Sequence, residues 1–322
     1  MRGYRWELAG RDMQTGIDRR QALIGATAGL FAARWPSLAS AQAAKGALAL
    51  RDLESRLVLV EGAGANVVAL ATADGLLLVD GGAEAHAAEL QRALGERWPG
   101  RPVSILFNTN WRHEHTGANA ALRGAGAIVM AHENTKLWLG GDFVVEWEDR
   151  HYAPRPKAML PTKTFYTSGK VELGGRAVEY WHLPRAHTDG DVAVFFPDEN
   201  VLVASDLLSV GRYPVPDYST GGWIGGFVEA TQKMLDATDA STRVVAAEGG
   251  IYGRKELEAQ REMCTAVRLK TAEAFRAGMS LADFVASKPT AAFDAGWGDP
   301  KLFLSLVYEG GFAHLRELGG VI

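Results

Sequence analysis

The sequence predicts an α+β protein in which strand-like segments come before a helical C-terminal part. Three observations support this fold class. Short apolar runs separated by Gly-containing turns fill residues 46–82, where Asp74-Gly75 between two such runs is a strong hairpin signal. A second set of apolar runs occupies residues 170–204. From Lys255 to Ala277, by contrast, apolar residues recur at helical spacing.

The individual elements follow from these patterns in chain order. Strands are predicted at 57–60, 67–71, 76–79, 103–107, 127–131, twice within 170–183, and at 192–196 and 201–204. Helices are predicted at 83–94, 227–235 and 255–277, on both sides of the strand at 127–131, and in shorter form at 281–284 and 303–308. The segment 140–164 is less regular and rich in Trp, Tyr, Pro and charge. It either lines a substrate cleft or packs its aromatic rings as a surface loop.

The strand Val103–Phe107 ends in an unusual cluster of polar side chains. The run from Asn108 to His115 contains Asn, Arg, His and Glu, and Thr116-Gly117-Ala118-Asn119 follows as a turn. Residues two apart on an extended segment point to the same side, and a turn brings the next side chain in from another direction. The stretch therefore reads as a buried strand that delivers polar groups to a site at its end.

This stretch resembles the metal-binding signature of the metallo-β-lactamase superfamily, His-x-His-x-Asp-His followed by Thr-Gly-Gly-Asn. Aligned on the Thr-Gly-Ala-Asn turn, Asn110 takes the place of the first His and Arg112 the place of the second. Glu114 replaces the Asp, and His115 keeps the last His. The turn and the last His of the signature are present, but its other ligand positions carry different residues.

Further motifs of the same family follow in the expected order. His187, in His187-Thr188-Asp189-Gly190-Asp191, matches the next metal ligand, and Asp206 matches the carboxylate that bridges two metals. Asp80 matches an Asp that supports the metal site from behind, although on its own it would be read as a helix cap. Glu248 stands where the family has its last His ligand.

The resemblance covers roughly residues 46–260 and implies the fold of that family. This is a four-layer αββα sandwich, in which two mixed sheets lie face to face, helices cover their outer sides and the site lies along one edge. Residues 44–262 would form this domain, and residues 263–322 would be a helical extension of it.

In that family, two zinc ions lower the pKa of a bridging water and make hydroxide the nucleophile. In this chain the site that needs three imidazoles would contain Asn110, Arg112 and His187, and a guanidinium keeps its proton and repels a divalent ion. The remaining metal ligands would be Glu114, His115, Asp206 and Glu248, with His187 in reach. This oxygen-rich set suits one ion of zinc, manganese or iron.

The resemblance thus leads to one catalytic hypothesis. It is an exported hydrolase with a single metal that cleaves an ester, lactone or amide-type bond by a metal-bound water. Glu114 and Asp206 would act with the ion, and Arg112 would stabilise a developing oxyanion. The small-molecule substrate itself is not encoded in any recognisable motif.

A competing hypothesis uses the same residues without any metal. Arg112 would direct its guanidinium at Glu114, Asp206 or Glu248, so that a fixed cation replaces the ions. The protein would then be a non-catalytic binding protein whose pocket accepts an anionic ligand. A further alignment, with His113 and His115 as paired ligands, is also sterically allowed on an extended strand. Otherwise His113 lines the pocket, together with Asn110 and Asp191.

The first 43 residues have the features of an export signal. Several arginines, among them Arg19-Arg20, precede an uncharged stretch from Gln21 to Ala33, and Ala41-Gln42-Ala43 offers small residues for cleavage. The pattern resembles a twin-arginine signal, which predicts a periplasmic or secreted protein. The apolar stretch is shorter than the roughly 18 residues that a membrane span needs.

The composition of the chain bears on its class of protein, its partners and its disulfides. The chain is 47% hydrophobic and 22% charged with a net charge of -4, which is typical of a soluble globular protein and gives no indication of a nucleic-acid partner. A single cysteine, Cys264, excludes an internal disulfide. The oligomeric state is not indicated by any feature of the sequence.

Overall fold

The computed structural model describes residues 48–317, and the predicted export signal in residues 1–43 lies outside them. Within the described residues the strands are β1 (Ala49–Glu54), β2 (Leu57–Glu61), β3 (Val67–Thr72), β4 (Gly75–Val79), β5 (Val103–Phe107), β6 (Ile128–His132), β7 (Phe143–Val145), β8 (Arg150–Tyr152), β9 (Lys163–Phe165), β10 (Gly169–Leu173), β11 (Arg176–His182), β12 (Val192–Phe196), β13 (Val201–Ser205), β14 (Arg243–Ala246) and β15 (Ile251–Tyr252). The helices are α1 (Ala87–Arg97), α2 (His113–Thr116), α3 (Asn119–Gly124), α4 (Glu133–Gly140), α5 (Ile224–Asp236), α6 (Arg254–Arg276), α7 (Leu281–Ala286), α8 (Asp294–Trp297) and α9 (Lys301–Glu317).

The first sheet contains seven strands in the order β1-β2-β3-β4-β5-β6-β9. Its first four strands run antiparallel, and β4, β5, β6 and β9 run parallel. The predicted hairpin at Asp74-Gly75 joins β3 to β4, where Thr72 pairs with Gly75. Gly75 is required there, because its φ is 122° and a Cβ would lie 2.7 Å from the carbonyl oxygen of Pro102.

The second sheet contains six strands in the order β10-β11-β12-β13-β14-β15. All its neighbours are antiparallel except β13 and β14, which are parallel. The predicted hairpin between residues 192 and 204 is the β12–β13 pair, in which Phe196 lies opposite Val201. β13 and β14 can pair in parallel because α5 lies between them in the chain. The helix returns the chain to the end of the sheet at which β13 begins, so that β14 runs in the same direction.

Three layers of apolar side chains identify the arrangement of these elements. Residues of both sheets, such as Phe107 and Phe196, form one buried cluster between them. A second cluster joins the outer side of the first sheet to α1 and α3, with Leu90 and Leu122 fully or almost fully buried. A third joins the second sheet to α5, α6, α7 and α9. The predicted αββα sandwich with a C-terminal helical extension is confirmed.

The C-terminal helices extend the outer layer of the second sheet. α6 packs along α5, and α9 contacts α5, α6 and α7. The predicted division between residues 262 and 263 falls inside α6, which continues without interruption from Arg254 to Arg276. No helix within residues 48–317 is both long and apolar enough to cross a membrane.

The segment 140–164 forms a small hairpin, β7–β8, with short single-turn helices. Its aromatic rings pack around Trp111, which is 1% exposed and lies edge-on to the rings of Phe143 and Tyr152 at 5.2 and 4.8 Å between centroids. Of the two interpretations given above, these contacts favour a loop that packs its aromatic rings on the body of the protein.

We predict that Gly226→Ala destabilises the protein. A Cβ at residue 226 in α5 would lie 1.4 Å from the carbonyl oxygen of Arg185, so α5 or the loop before His187 would have to move. Such overpacking costs about 1–3 kcal/mol. Gly95→Ala is the matched control, because the added Cβ meets nothing within 4 Å and α1 gains helix propensity. Urea unfolding would measure both variants, and an unchanged midpoint for Gly226→Ala would contradict this packing.

Candidate functional site

The candidate site lies where several strand ends meet at one edge of the sandwich. Asp80 follows β4, the polar run from Thr109 onwards follows β5, and Ser205-Asp206 ends β13. Backbone hydrogen bonds join these ends. Asp80 N donates to the oxygen of Phe107 at 2.7 Å, and Gly81 N donates to the oxygen of His115 at 2.7 Å. This part of the site therefore rests on the ends of strands.

Asp80 is a buried carboxylate surrounded by hydrogen-bond donors. It accepts from the backbone N–H and the hydroxyl of Thr109, both at 2.8 Å, from Ser205 Oγ at 3.2 Å, and faces Nδ1 of His115 at 2.9 Å. Its backbone is left-handed, with φ of 64°, a conformation that few non-glycine residues adopt. The contacts that Asp80 makes with neighbouring strand ends hold it in this conformation. The sequence motif identified Asp80, whereas Thr109 and Ser205 were missed.

His115 lies between two carboxylates. Its Nδ1 faces Asp80, and its Nε2 is 2.8 Å from Oδ2 of Asp206. Burial lowers the pKa of His115, but Asp80 and Asp206 outweigh burial and raise the pKa well above its usual value. Both ring nitrogens face carboxylate oxygens, and this arrangement favours the imidazolium, which donates a hydrogen bond to each carboxylate.

Asp206 is the point at which three polar side chains converge. The amide of Asn110 donates to Oδ2 at 2.8 Å, His115 donates to the same oxygen, and Nε2 of His187 lies 3.7 Å from it. Burial raises the pKa of Asp206, but His115 and His187 lower it far more, so the carboxylate remains ionised. Its side chain is 22% exposed, while the side chain of His115 is 1% exposed. Solvent therefore reaches these polar side chains at Asp206 and not at His115.

His187 is fixed at its backbone and at one ring nitrogen. Its N–H donates to Asp191 Oδ2 at 2.7 Å, and its Nδ1 lies 2.6 Å from the carbonyl oxygen of Val215. A carbonyl can only accept, so Nδ1 carries a proton and Nε2 of the neutral ring has a free lone pair. Nε2 is buried and receives no hydrogen bond from any residue between 48 and 317.

Asp191 organises the loop that carries His187. Besides His187 N, it accepts from the backbone N–H of Thr188 at 2.9 Å and from the hydroxyl of Thr188 at 2.6 Å. Burial raises the pKa of Asp191 to about 6, against the opposing effects of His187 and Thr188. Asp191 therefore acts on the site through the backbone of the His187 loop.

Arg112 points away from Asp206 into a separate cluster. Its guanidinium donates to Glu148 at 2.6 Å, to Tyr152 at 3.2 Å and to Asp217 at 3.1 Å. It also lies 4.7 Å from the centroid of the Trp111 ring, and burial is nearly complete at 4% exposure. Although burial lowers the pKa of Arg112, Asp217 and Glu148 raise it above its usual range.

These contacts correct the expectation for the partners of Arg112. The predicted partners were Glu114, Asp206 and Glu248, whereas the observed carboxylates are Glu148 and Asp217. The same contacts occupy the guanidinium that was expected to stabilise an oxyanion. The two carboxylates lie 36 and 105 residues from Arg112 in sequence, and no spacing signal relates them.

The other predicted residues lie at the margin of the site. Glu114 and Glu248 are exposed, and Glu248 is paired with Arg212. His113 packs edge-on against the rings of Trp111 and Tyr152. Burial, and then Arg155 and Arg150, lower the pKa of His113 to about 4.

Comparison with known proteins agrees with this arrangement. The family model described as the metallo-beta-lactamase superfamily matches residues 60–249, more than half of the chain. The chain belongs to the metallo-β-lactamase superfamily.

Sequence comparison gives a distant homologue of the chain. The chain is 26% identical over 204 residues to the 2,4-dinitroanisole O-demethylase subunit alpha of Nocardioides sp. (strain JS1661), a match that covers 62% of this chain and 56% of that protein. It thus spans little more than half the length of this relative.

Solved structures of the superfamily give the same result for the fold. A metallo-beta-lactamase from Pontibacter korlensis matches with a TM-score of 0.55 at 18% identity, covering 68% of this chain and 99% of the other. The DIM-1 metallo-beta-lactamase matches with a TM-score of 0.55 at 14% identity, covering 68% and 98%. At these identities the likeness establishes the fold alone.

Superfamily members typically bind divalent metals such as zinc, so the donor set of this member needs to be tested against such an ion. A pair of ions does not fit, because Asn110 and the buried, paired Arg112 stand at two ligand positions. For one ion, His115, His187 and Asp206 lie together, but His115 Nε2 already faces Asp206 Oδ2 at 2.8 Å, and Glu114 and Glu248 are exposed. Within residues 48–317 no group of three or more His, Cys, Asp or Glu side chains is arranged to hold a metal ion.

We predict that removing the buried cation of Arg112 destabilises the protein. Arg112→Met leaves Glu148 and Asp217 buried without a counter-charge, which costs about 3–5 kcal/mol of unfolding free energy. Arg92→Met is the control, because the exposed Arg92–Glu96 pair contributes less than about 1 kcal/mol. Guanidinium unfolding, with and without a metal chelator, would measure both. A parent-like midpoint for Arg112→Met would contradict the prediction, as would a larger loss caused by the chelator.

Proposed function

We propose that this superfamily member is a hydrolase in which His187, next to Asp206, activates water. The bond cleaved is of the ester, lactone or amide type. One observation carries the proposal. Polar side chains converge on a single oxygen of Asp206, while the lone pair of His187 Nε2, 3.7 Å from that oxygen, is left without a hydrogen-bond partner among residues 48–317.

The arrangement suits general-base catalysis by His187. Because Nδ1 is held by Val215 O, the neutral ring offers Nε2 to a water molecule and takes its proton as the water attacks. The imidazolium that forms lies next to the ionised Asp206, which stabilises it. Proton transfer of this kind contributes a factor of about 10²–10⁴ to the rate.

Asp206 is kept in place and ionised by its other neighbours. His115 and Asn110 both donate to Oδ2, so this oxygen is oriented and its negative charge is favoured. Asp80 in turn holds the opposite side of the His115 ring. In this proposal Asp80, Asn110 and His115 orient the two groups that meet the water, namely His187 and Asp206.

The substrate class is also part of the proposal. The matched relative is described as a 2,4-dinitroanisole O-demethylase subunit. For such an aryl methyl ether, addition of water gives the phenol and methanol, which is a hydrolysis. Electron-poor aryl ethers therefore belong beside esters, lactones and amides as candidate substrates. The export signal predicted for residues 1–43 would place the reaction in the periplasm or outside the cell.

A hydrolase with one divalent ion is the second candidate. The observation that favours it is the gathering of His115, His187 and Asp206 at one point, with the buried His187 Nε2 unpartnered within residues 48–317. The ion would have to displace the proton from His115. Glu114 and Glu248, the other predicted ligands, would also have to turn inward from exposed positions.

The experiment is an activity screen on chelator-treated protein. The panel contains a nitrophenyl ester, a lactone, an anilide and 2,4-dinitroanisole, each assayed with and without added zinc, manganese or iron. We expect hydrolysis without metal, and a loss of about 10²–10⁴ in kcat for His187→Gln. Glu248→Gln is the matched control, because Glu248 is exposed and paired with Arg212.

Each alternative outcome of the screen has a distinct meaning. Full activity in His187→Gln would overturn the role of His187. Activity that appears only with metal and is lost in Glu248→Gln would support the second candidate. Failure of the parent to hydrolyse any substrate, with and without metal, would count against both.

A further inference from the structure

We infer that Arg112 is a positioning residue that acts through Asp217 to fix the ring of His187. The inference rests on the proposed function, in which His187 is the base. Arg112 makes no contact with Asp206 in this arrangement, and its guanidinium is directed to Asp217 and Glu148 instead. A residue at the position of a metal ligand in the superfamily thus serves the site from a distance.

The first step from Arg112 to His187 is the Asp217 carboxylate and its environment. This side chain is fully buried and accepts from Arg112 at 3.1 Å, from Trp147 Nε1 at 2.8 Å and from Thr220 Oγ1 at 2.8 Å. Arg112 supplies the positive charge among these donors. A buried carboxylate without such a partner is strongly disfavoured, so Arg112 decides whether Asp217 stays in place.

The second step is the backbone around Asp217, which contacts His187 on two sides. Asp217 N donates to the carbonyl oxygen of His187 at 2.9 Å. Two residues earlier, the carbonyl oxygen of Val215 accepts from Nδ1 of the His187 ring at 2.6 Å. Thr220 O accepts from Asp189 N at 2.9 Å, which ties the same turn to the loop of His187. Residues 215–220, called the clamp turn below, therefore set both the position and the orientation of the ring.

The third step links the clamp turn to proton transfer. The Val215 carbonyl keeps the proton on Nδ1, and this leaves the lone pair on Nε2 next to Asp206. If Asp217 moves, the clamp turn moves with it and Nδ1 loses its acceptor. The ring can then carry its proton on Nε2, and in that form it cannot accept a proton from water.

The backbone of Arg112 also contacts a residue of the site directly. Its backbone N–H donates to Oδ1 of Asn110 at 2.9 Å, which leaves the amide nitrogen of Asn110 free to donate to Asp206. Any residue except proline can supply this N–H at position 112, since it belongs to the backbone. The side chain of Arg112 therefore acts on the site through Asp217 and the clamp turn, and only that contact is tested below.

The test is the side-chain nitrogen spectrum of protein labelled with ¹⁵N-histidine, which distinguishes the two neutral tautomers. His187→Gln identifies the signals of His187. We expect the parent to carry its proton on Nδ1. We expect Asp217→Asn and Arg112→Lys to lose this Nδ1–H population in favour of Nε2–H. Asp217→Asn removes the carboxylate charge, and lysine lacks the fork with which Arg112 contacts Glu148 and Asp217 through separate nitrogens.

Glu148→Gln is the matched control, since it changes the other carboxylate of Arg112 and leaves the clamp turn untouched. It should keep the parent tautomer. A parent that carries the proton on Nε2 would overturn the inference, and so would a folded Asp217→Asn or Arg112→Lys with a parent-like spectrum. If neither variant folds, Trp147→Phe, which removes one neutral donor from Asp217, should show a partial loss of Nδ1–H, and an unchanged spectrum would overturn the inference.

The spectrum needs no substrate, so its outcome is separate from that of the proposed function. An unchanged tautomer in the variants, together with lost hydrolysis in His187→Gln, would reject the role of Arg112 and keep His187 as the base. A changed tautomer together with full activity of His187→Gln would reject the base and keep the link between Arg112 and the ring.

Discussion

The imidazolium of His115 between Asp80 and Asp206 is the interaction on which the site depends. Asp80, which follows β4, accepts hydrogen bonds from residues at the ends of β5 and β13. His115 lies between Asp80 and Asp206 and contacts both carboxylates. Two buried carboxylates this close would repel each other, and the shared imidazolium compensates them. In this member of a superfamily that typically binds divalent metals such as zinc, side-chain charges thus join these strand ends.

Arg112 is a second side-chain cation that compensates buried carboxylates, in the loops next to the site. With Glu148 and Asp217 it forms a second buried group of charges, in which each carboxylate has a cation within 3.1 Å. Side-chain cations of this kind donate hydrogen bonds and neutralise buried carboxylates. The chemistry that we propose for this member is proton transfer at His187, with Asp206 as its partner.

Some of this arrangement could be predicted from the sequence. The fold and the meeting of His115, His187 and Asp206 follow from motifs at strand ends, because the sheet fixes where such residues lie. Such motifs do not predict which partner a side chain will contact. Arg112 could not be assigned to Asp217, since the pair is formed by folding across 105 residues. Glu248 aligns with a ligand, yet it lies on an exposed loop whose side chain is free to pair with Arg212.

Metal content tests the central claim most directly. The protein would be purified without chelators or affinity metals and compared with a His115→Gln/Asp206→Asn double variant by elemental analysis, before and after incubation with zinc, manganese or iron. We expect well below one equivalent of any metal, equal in both proteins, and no change in melting temperature on adding the ions. About one equivalent in the parent that is lost in the double variant would contradict it, because a structural or catalytic ion binds in stoichiometric amount.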